Sequence, residues 1–218
     1  MMKFEDTDFY AALIHELKNN MSLLSMTLES IPVQGESSHD ATVDAARLLC
    51  QEVVERLQQS LWIYKAEKQQ IHPRIDAYSP HDLLHAIKNR TESLSRGRFQ
   101  VEVMLSPNVP ALWFLDRDLI EMALINAIHN SLAYARTRIR IEAEMVEGCL
   151  ALSVRDDSAG YPDPILTSVA TNAPYRSTGT GLGLQFSRLI AQSHDNQGHL
   201  GELRLHNDEG AVFCLLLP

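Results

Sequence analysis

The chain has 218 residues, 45% of them hydrophobic, and a formal net charge of −9, which suits a globular protein of one large domain or two small ones. The acidic balance excludes general binding to nucleic-acid phosphates. No apolar run is long enough to span a bilayer, residues 1–10 lack the basic-then-apolar layout of a signal peptide, and Cys50, Cys149 and Cys214 form no disulfide framework, reading instead as buried thiols of a reducing cytoplasm.

A helix is predicted over residues 5–31, where Phe9, Leu13, Leu17, Met21, Leu24, Leu28 and Ile31 recur at steps of three and four. Pro32 and the polar run 34–40 end it. A second helix over residues 40–69 carries the stripe Ala46, Leu49, Val53, Leu57, Leu61 and Tyr64. Two such helices joined by a short turn form an antiparallel hairpin. Its stripe stays half exposed unless two copies pair into a four-helix bundle, so a homodimer is expected.

Residues 70–80, with Pro73 and Pro80, read as a linker, which divides the chain into domains 1–70 and 71–218. Beyond it the pattern predicts a helix over 80–95, a strand over 99–105, with Trp113 and Phe114 as core, and a long helix over 116–135. Strands over 137–146 and 149–155 flank a hairpin turn at Glu147-Gly148. An irregular stretch covers 157–179, a helix runs from near Gly181 to near His194, and strands over 199–206 and 211–217 close the chain. Helices and mainly antiparallel strands in this order predict an α+β sandwich.

Four short motifs could carry chemistry. His15-Glu16-Leu17-Lys18-Asn19 lies in the first helix, with His15 off the apolar stripe. A neutral imidazole nitrogen attacks phosphorus well, and a neighbouring carboxylate can take the proton from the ring's other nitrogen. For an isolated histidine, an exposed residue among charged neighbours is the commoner reading. Asn126 and Asn130 share a face of the long helix at i,i+4; a carboxamide oxygen suits Mg²⁺ held on nucleotide phosphates, though two half-exposed asparagines would look the same. Asp156-Asp157-Ser158-Ala159-Gly160 ends a strand, where a carboxylate can accept from an exocyclic amine such as adenine's; taken by itself, an ordinary Asp-rich turn is the preferred reading. Gly179-Thr180-Gly181-Leu182-Gly183 runs into a helix whose first N–H groups suit an anion. Taken alone, a tight loop-to-helix turn explains it too.

In this order the motifs resemble the H, N, G1 and G2 boxes of the sensor histidine kinases of two-component systems, over almost the whole chain. The last strand, 210–218, is also similar to that family's. The resemblance implies an α+β chain: a helical hairpin for dimerisation and phosphotransfer, then an α/β sandwich of Bergerat ATPase type. It implies His15 as phosphoacceptor, Glu16 as its proton acceptor, and Asn19 as a residue that with Glu16 supports dephosphorylation of a partner. It implies Asn130 as the Mg²⁺ ligand with Asn126 as its companion, Asp156 as the adenine reader and Gly160 beside the base. Gly179, Gly181, Leu182 and Gly183 would border a lid over the phosphates, with Arg176 reaching one of them. The expected cofactors are ATP and Mg²⁺, and the expected partners a response-regulator receiver domain and a second copy of the chain, without nucleic acid or membrane. A cytoplasmic protein-histidine kinase is the function implied.

The sequence departs from that pattern in places. Ser158 and Ala159 stand where a glycine is usual, Ala133 where a basic residue is, and Asn20 where a proline often follows the H box. No clear phenylalanine box lies within 161–178. These departures motivate an alternative, a phosphorelay adaptor or response-regulator phosphatase with a degenerate ATP-binding domain. A kinase without an input domain before Phe9 or a receiver after Pro218 is expected, with its signal coming from another molecule.

Overall fold

The structure is a computed structural model that describes residues 17, 21–22, 24, 26, 46, 50, 53–54, 57–58, 60–64, 72–95, 97–171 and 182–218. The chain divides into two compact units, Met1–Ile71 and His72–Pro218. Every described residue of the first unit up to Tyr64 is helical, including Leu17, Met21 and Leu24 of the first stripe and Val53, Leu57 and Leu61 of the second. The turn predicted over 32–40 lies outside the described residues. Leu17, Leu24 and Val53 remain 43%, 45% and 39% exposed in the single chain.

The second unit is a mixed α/β fold. Its five-stranded sheet has the order β2 (Gln100–Leu105), β4 (Arg138–Val146), β5 (Cys149–Asp156), β9 (Ala211–Leu217), β8 (Glu202–Asn207). Only β2 and β4 run parallel; the other neighbours are antiparallel. The alternation of side chains along a strand sends Ile139, Ile141, Leu152, Val154, Phe213 and Leu215, all buried, to one face. That face is covered by α1 (Pro80–Ser95), α2 (Arg117–Tyr134) and α4 (Leu182–Ser193). Each of these side chains contributes roughly 1.5–3 kcal/mol by leaving water. The opposite face carries Glu102, Arg140, Glu142, Arg155 and Arg204, tied by ion pairs such as Arg140–Glu102 at 3.2 Å and Arg155–Glu142 at 3.7 Å. Small residues between them, Ala151, Ser153 and Cys214, are buried.

Local chemistry starts and stops these elements. Asp116 caps α2: its Oδ1 accepts from Leu119 N at 3.1 Å. Ser79 Oγ accepts from Asp82 N at 3.2 Å, with Pro80 opening α1. The β4–β5 turn has Glu147 and Gly148 both at positive φ, the geometry that matches the twist of a two-residue hairpin. The three cysteines are free, with Cys50 and Cys214 buried.

The structure corrects four expectations. Residues 76–78, inside the expected linker, form β1 (Asp76–Tyr78), paired with β3 (Trp113–Leu115); three-residue strands are too short to show alternation. Phe114, expected in the core, is 68% exposed, because that small sheet turns it outward. The irregular stretch contains α3 (Asp163–Ala170), which begins at a proline-rich segment that suits a helix's first turn. The strand expected over 199–206 is broken at Gly201. Before it, β6 (Asp195–Asn196) and β7 (His199–Leu200) make a separate hairpin; after it comes β8. A side chain at 201 would collide with the carbonyls of Ala191 and Leu216, so the chain crosses that point as glycine.

Candidate functional site

Asp156 is the last residue of β5 and pairs with Ile139, so strand alternation turns its carboxylate to the helix-covered face. There it meets α2. Oδ2 accepts from Ser131 Oγ at 2.8 Å, and Oδ1 accepts from Ser158 N at 2.9 Å and Ala211 N at 3.3 Å. Asp157, one residue on, points elsewhere. Its carboxylate accepts from the backbone N–H groups of Arg136, Thr137 and Arg138 and from Thr137 Oγ1 at 2.6 Å. Loss of water raises the Asp157 pKa, but the Thr137 hydroxyl and these N–H groups outweigh it and hold the carboxyl well below its usual range. The adjacent acids thus divide their work: Asp157 anchors the start of β4, while Asp156 stays turned towards α2.

The turn after β5 explains how Ser158 and Ala159 are accommodated. Ser158 Oγ accepts from Gly160 N at 3.1 Å, and neither residue has the left-handed backbone that would favour glycine. Gly160 does, with φ +89°, and a Cβ there would lie 2.6 Å from Asn207 Cγ. The Asn207 carboxamide clasps the next residue from both sides: Tyr161 N donates to Oδ1 at 2.7 Å and Nδ2 donates to Tyr161 O at 2.9 Å. Burial, then the charge of Asp156, push the Tyr161 phenol up. Gly210, at φ +151°, passes so close to the Asp156 carbonyl that no side chain fits.

On α2 the two asparagines differ. Asn130 is half-buried, and its carboxamide makes no hydrogen bond to the described residues. Asn126 faces α4: its Nδ2 donates to Ser187 Oγ at 3.4 Å, and its amide fills the space where a side chain on Gly183 would sit. The first turn of α4 is thereby held against α2. Asn130 adjoins Ser131, the partner of Asp156, on α2; Gly160 lies in the turn after β5; and Asn126 lies against Gly183 at the start of α4. Leu182 begins α4, and its side chain is not described. His15, Glu16, Asn19, Arg176, Gly179 and Gly181 lie outside the described residues. Sequence reasoning missed Ser131, Tyr161, Asn207 and Gly210. Of these, Asn207 and Gly210 had a signal, as the ends of the polar Asn207-Asp208-Glu209-Gly210 segment between the last two strands.

Among the described residues no cluster of three His, Cys, Asp or Glu side chains could hold a metal, and no helix is long and apolar enough to cross a membrane. Among the described residues the Asn130 amide oxygen has no hydrogen-bond donor, and a carboxamide oxygen is by type a neutral ligand for a hard cation.

Comparison with known proteins agrees with this arrangement. The family described as Histidine kinase-, DNA gyrase B-, and HSP90-like ATPase matches residues 115–218. The chain is 31% identical over 112 residues to the signal transduction histidine-protein kinase AfsQ2 of Streptomyces coelicolor, covering 48% of this chain and 20% of that protein. It is 26% identical over 164 residues to a probable sensor histidine kinase HK of Mycobacterium tuberculosis, covering 73% of this chain and 42% of that one. The chain therefore spans less than half the length of either relative. Its fold is similar to the structure of full-length ShkA in complex with AMPPNP, with a TM-score of 0.72 at 18% identity, over 97% of this chain and 45% of that one. Residues 115–218 thus match the ATPase family described as histidine kinase-, DNA gyrase B-, and HSP90-like, and the chain is similar in sequence to sensor histidine kinases.

Proposed function

We propose that this chain is an ATP-dependent protein-histidine kinase that transfers the γ-phosphoryl group of ATP to His15 and passes it on to an aspartate of a response-regulator receiver domain. The observation that carries the reading is the Asp156 carboxylate, held by Ser131, Ser158 and Ala211 on the strand end next to Asn130. A fixed carboxylate acceptor there reads an exocyclic amine, and the Asn130 carboxamide, which makes no hydrogen bond to the described residues, offers an oxygen towards the phosphates.

Asn130 is assigned as the ligand of a magnesium ion carried in with the nucleotide; that ion would neutralise charge on the β- and γ-phosphates. Gly160 lies beside the base. Gly183 sets the first turn of α4, whose N–H groups favour an anion, and Asn126 locks that turn in place. Arg176, Gly179, Gly181 and Leu182 are assigned to the phosphate side. In the first unit, His15 is the nucleophile, Glu16 takes the proton from the ring's other nitrogen, and Asn19 acts with Glu16 in removing phosphate from the partner. A homodimer is supported by the exposure of Leu17, Leu24 and Val53 in the single chain, since a second copy would cover such a stripe. A cytoplasmic location fits this chemistry.

The test is incubation of the purified chain with ATP labelled at the γ-position. The expected result is acid-labile, base-stable label on the protein, absent from His15→Ala and lost to an added receiver domain. ATP hydrolysis without labelled protein would overturn the kinase reading.

A further inference from the structure

We propose that Ser131 is a positioning residue for base recognition, whose hydroxyl leaves the Asp156 carboxylate a single acceptor position suited to an amino-purine. The inference rests on the nucleotide-binding reading above and narrows it to one atom. A carboxylate offers about four lone-pair positions. At Asp156, Oδ1 spends both of its own on Ser158 N and Ala211 N, and Oδ2 spends one on Ser131 Oγ. About one position on Oδ2 is left, and its direction is set by the hydroxyl already bound there.

Ser131 is not behaving as a serine inside a helix ordinarily does. Such a residue tends to bond back to the carbonyl four residues earlier, as the Thr91 hydroxyl does to Ile87 O at 2.7 Å in α1. Ser131 instead donates across to β5. It is only 4% exposed, so water does not compete readily for the bond. Its backbone plays the usual part in closing α2, since Ser131 O accepts from Ala135 N at 2.7 Å. The backbone of Asp156 is also confined, because Gly210 packs on its carbonyl. The carboxylate is thus held from both ends, and the hydroxyl is the only side chain among the described residues that hydrogen-bonds to it.

The chemistry that follows is selectivity for an amine over a carbonyl. The 6-amino group of adenine donates to the free position on Oδ2. The 6-oxo group of hypoxanthine would set one acceptor against another. Without the Ser131 hydroxyl, Oδ2 rehydrates and the acceptor is no longer held in one direction. Alanine is a better helix former than serine, so Ser131→Ala leaves α2 intact and acts at Asp156.

The experiment is calorimetric titration of the full chain with ATP and with inosine triphosphate, for wild type, Ser131→Ala and Ser131→Thr. The expected result is a wild-type preference for ATP. Ser131→Ala weakens ATP binding about tenfold, in keeping with one hydrogen bond to a charged group, with little change for inosine triphosphate, and Ser131→Thr restores the preference. Equal losses for both nucleotides, or an unchanged preference in Ser131→Ala, would overturn the assignment and leave the nucleotide reading standing. A wild-type chain that binds neither nucleotide overturns both. Should Ser131→Ala lose its near-ultraviolet dichroism, Ser131→Cys, of similar volume and a weak donor, carries the same comparison: a reduced ATP preference supports the role and an unchanged one overturns it.

Discussion

The imidazole of His194 accepts a hydrogen bond from the backbone N–H of Asp116 at 3.0 Å, joining the residue after α4 to the cap of α2. Its other nitrogen, Nδ1, faces Ile190 O at 2.8 Å and so carries the proton. Asp116 Oδ2 in turn accepts from Arg74 N at 2.7 Å. One buried ring and one carboxylate therefore tie together the two helices that flank the candidate site and the segment that leads into β1.

This ring predicts a pH dependence of stability. Burial lowers the His194 pKa, so below the ordinary imidazole range the unfolded chain binds a proton that the folded chain refuses. Stability then falls with decreasing pH, by at most about 1.4 kcal/mol per unit. His194→Gln keeps an acceptor and removes the titration. Chemical denaturation between pH 7 and pH 5 is expected to show the slope in wild type and its reduction in the variant.

Asp157 acts in the same direction but in a lower pH range. Its folded pKa is depressed, so its contribution is present in full above the ordinary carboxylate range and is lost as pH falls below it. Asp157→Ala orphans the N–H groups of Arg136, Thr137 and Arg138 and is expected to cost about 1–3 kcal/mol at neutral pH. The gap between wild type and variant should shrink in acid, which denaturation series at pH 7 and pH 3 would measure.

Gly210→Ala forces a Cβ into the Asp156 carbonyl at an unfavourable φ, and something must shift. We expect a loss of more than about 2 kcal/mol together with weakened nucleotide binding. Gly160→Ala meets the flexible carboxamide of Asn207 instead and should cost less. Thermal melts and ATP titration of the two variants rank them.

The roles proposed for Asp156 and Asn130 separate by their metal dependence. Asp156→Ala is expected to weaken ATP binding about tenfold or more with or without Mg²⁺, as a hydrogen bond to a charged group is lost. Asn130→Ala should weaken binding only when Mg²⁺ is present. Titrations in magnesium and in chelator decide it.

Parts of the candidate site carry signals in the sequence, for identifiable reasons. Asp156 was legible because it ends a run of buried strand residues, and Asn126 and Asn130 because two amides on one face of an apolar helix are out of place. Their difference was not legible: Asn126 is engaged by Ser187, sixty-one residues away, and no spacing rule reaches that far. Ser131 was hidden for the same reason, its partner lying across the layer on β5. Strands β4 and β5 stood out by length and alternation, and β9 by its unbroken apolar run. The short β1 and β3 had neither, and α3 was masked by its own prolines, which mark a helix start as readily as a loop.

The charged lattice on the uncovered sheet face has a consequence for how the domain keeps company. The two rim strands, β2 and β8, carry Glu102 on one side and Glu202, Arg204 and His206 on the other. A neighbouring molecule extending the sheet would have to strip the hydration from these groups and break their pairings, which discourages strand addition. Among the described residues, these edges therefore favour a sheet that ends at β2 and β8.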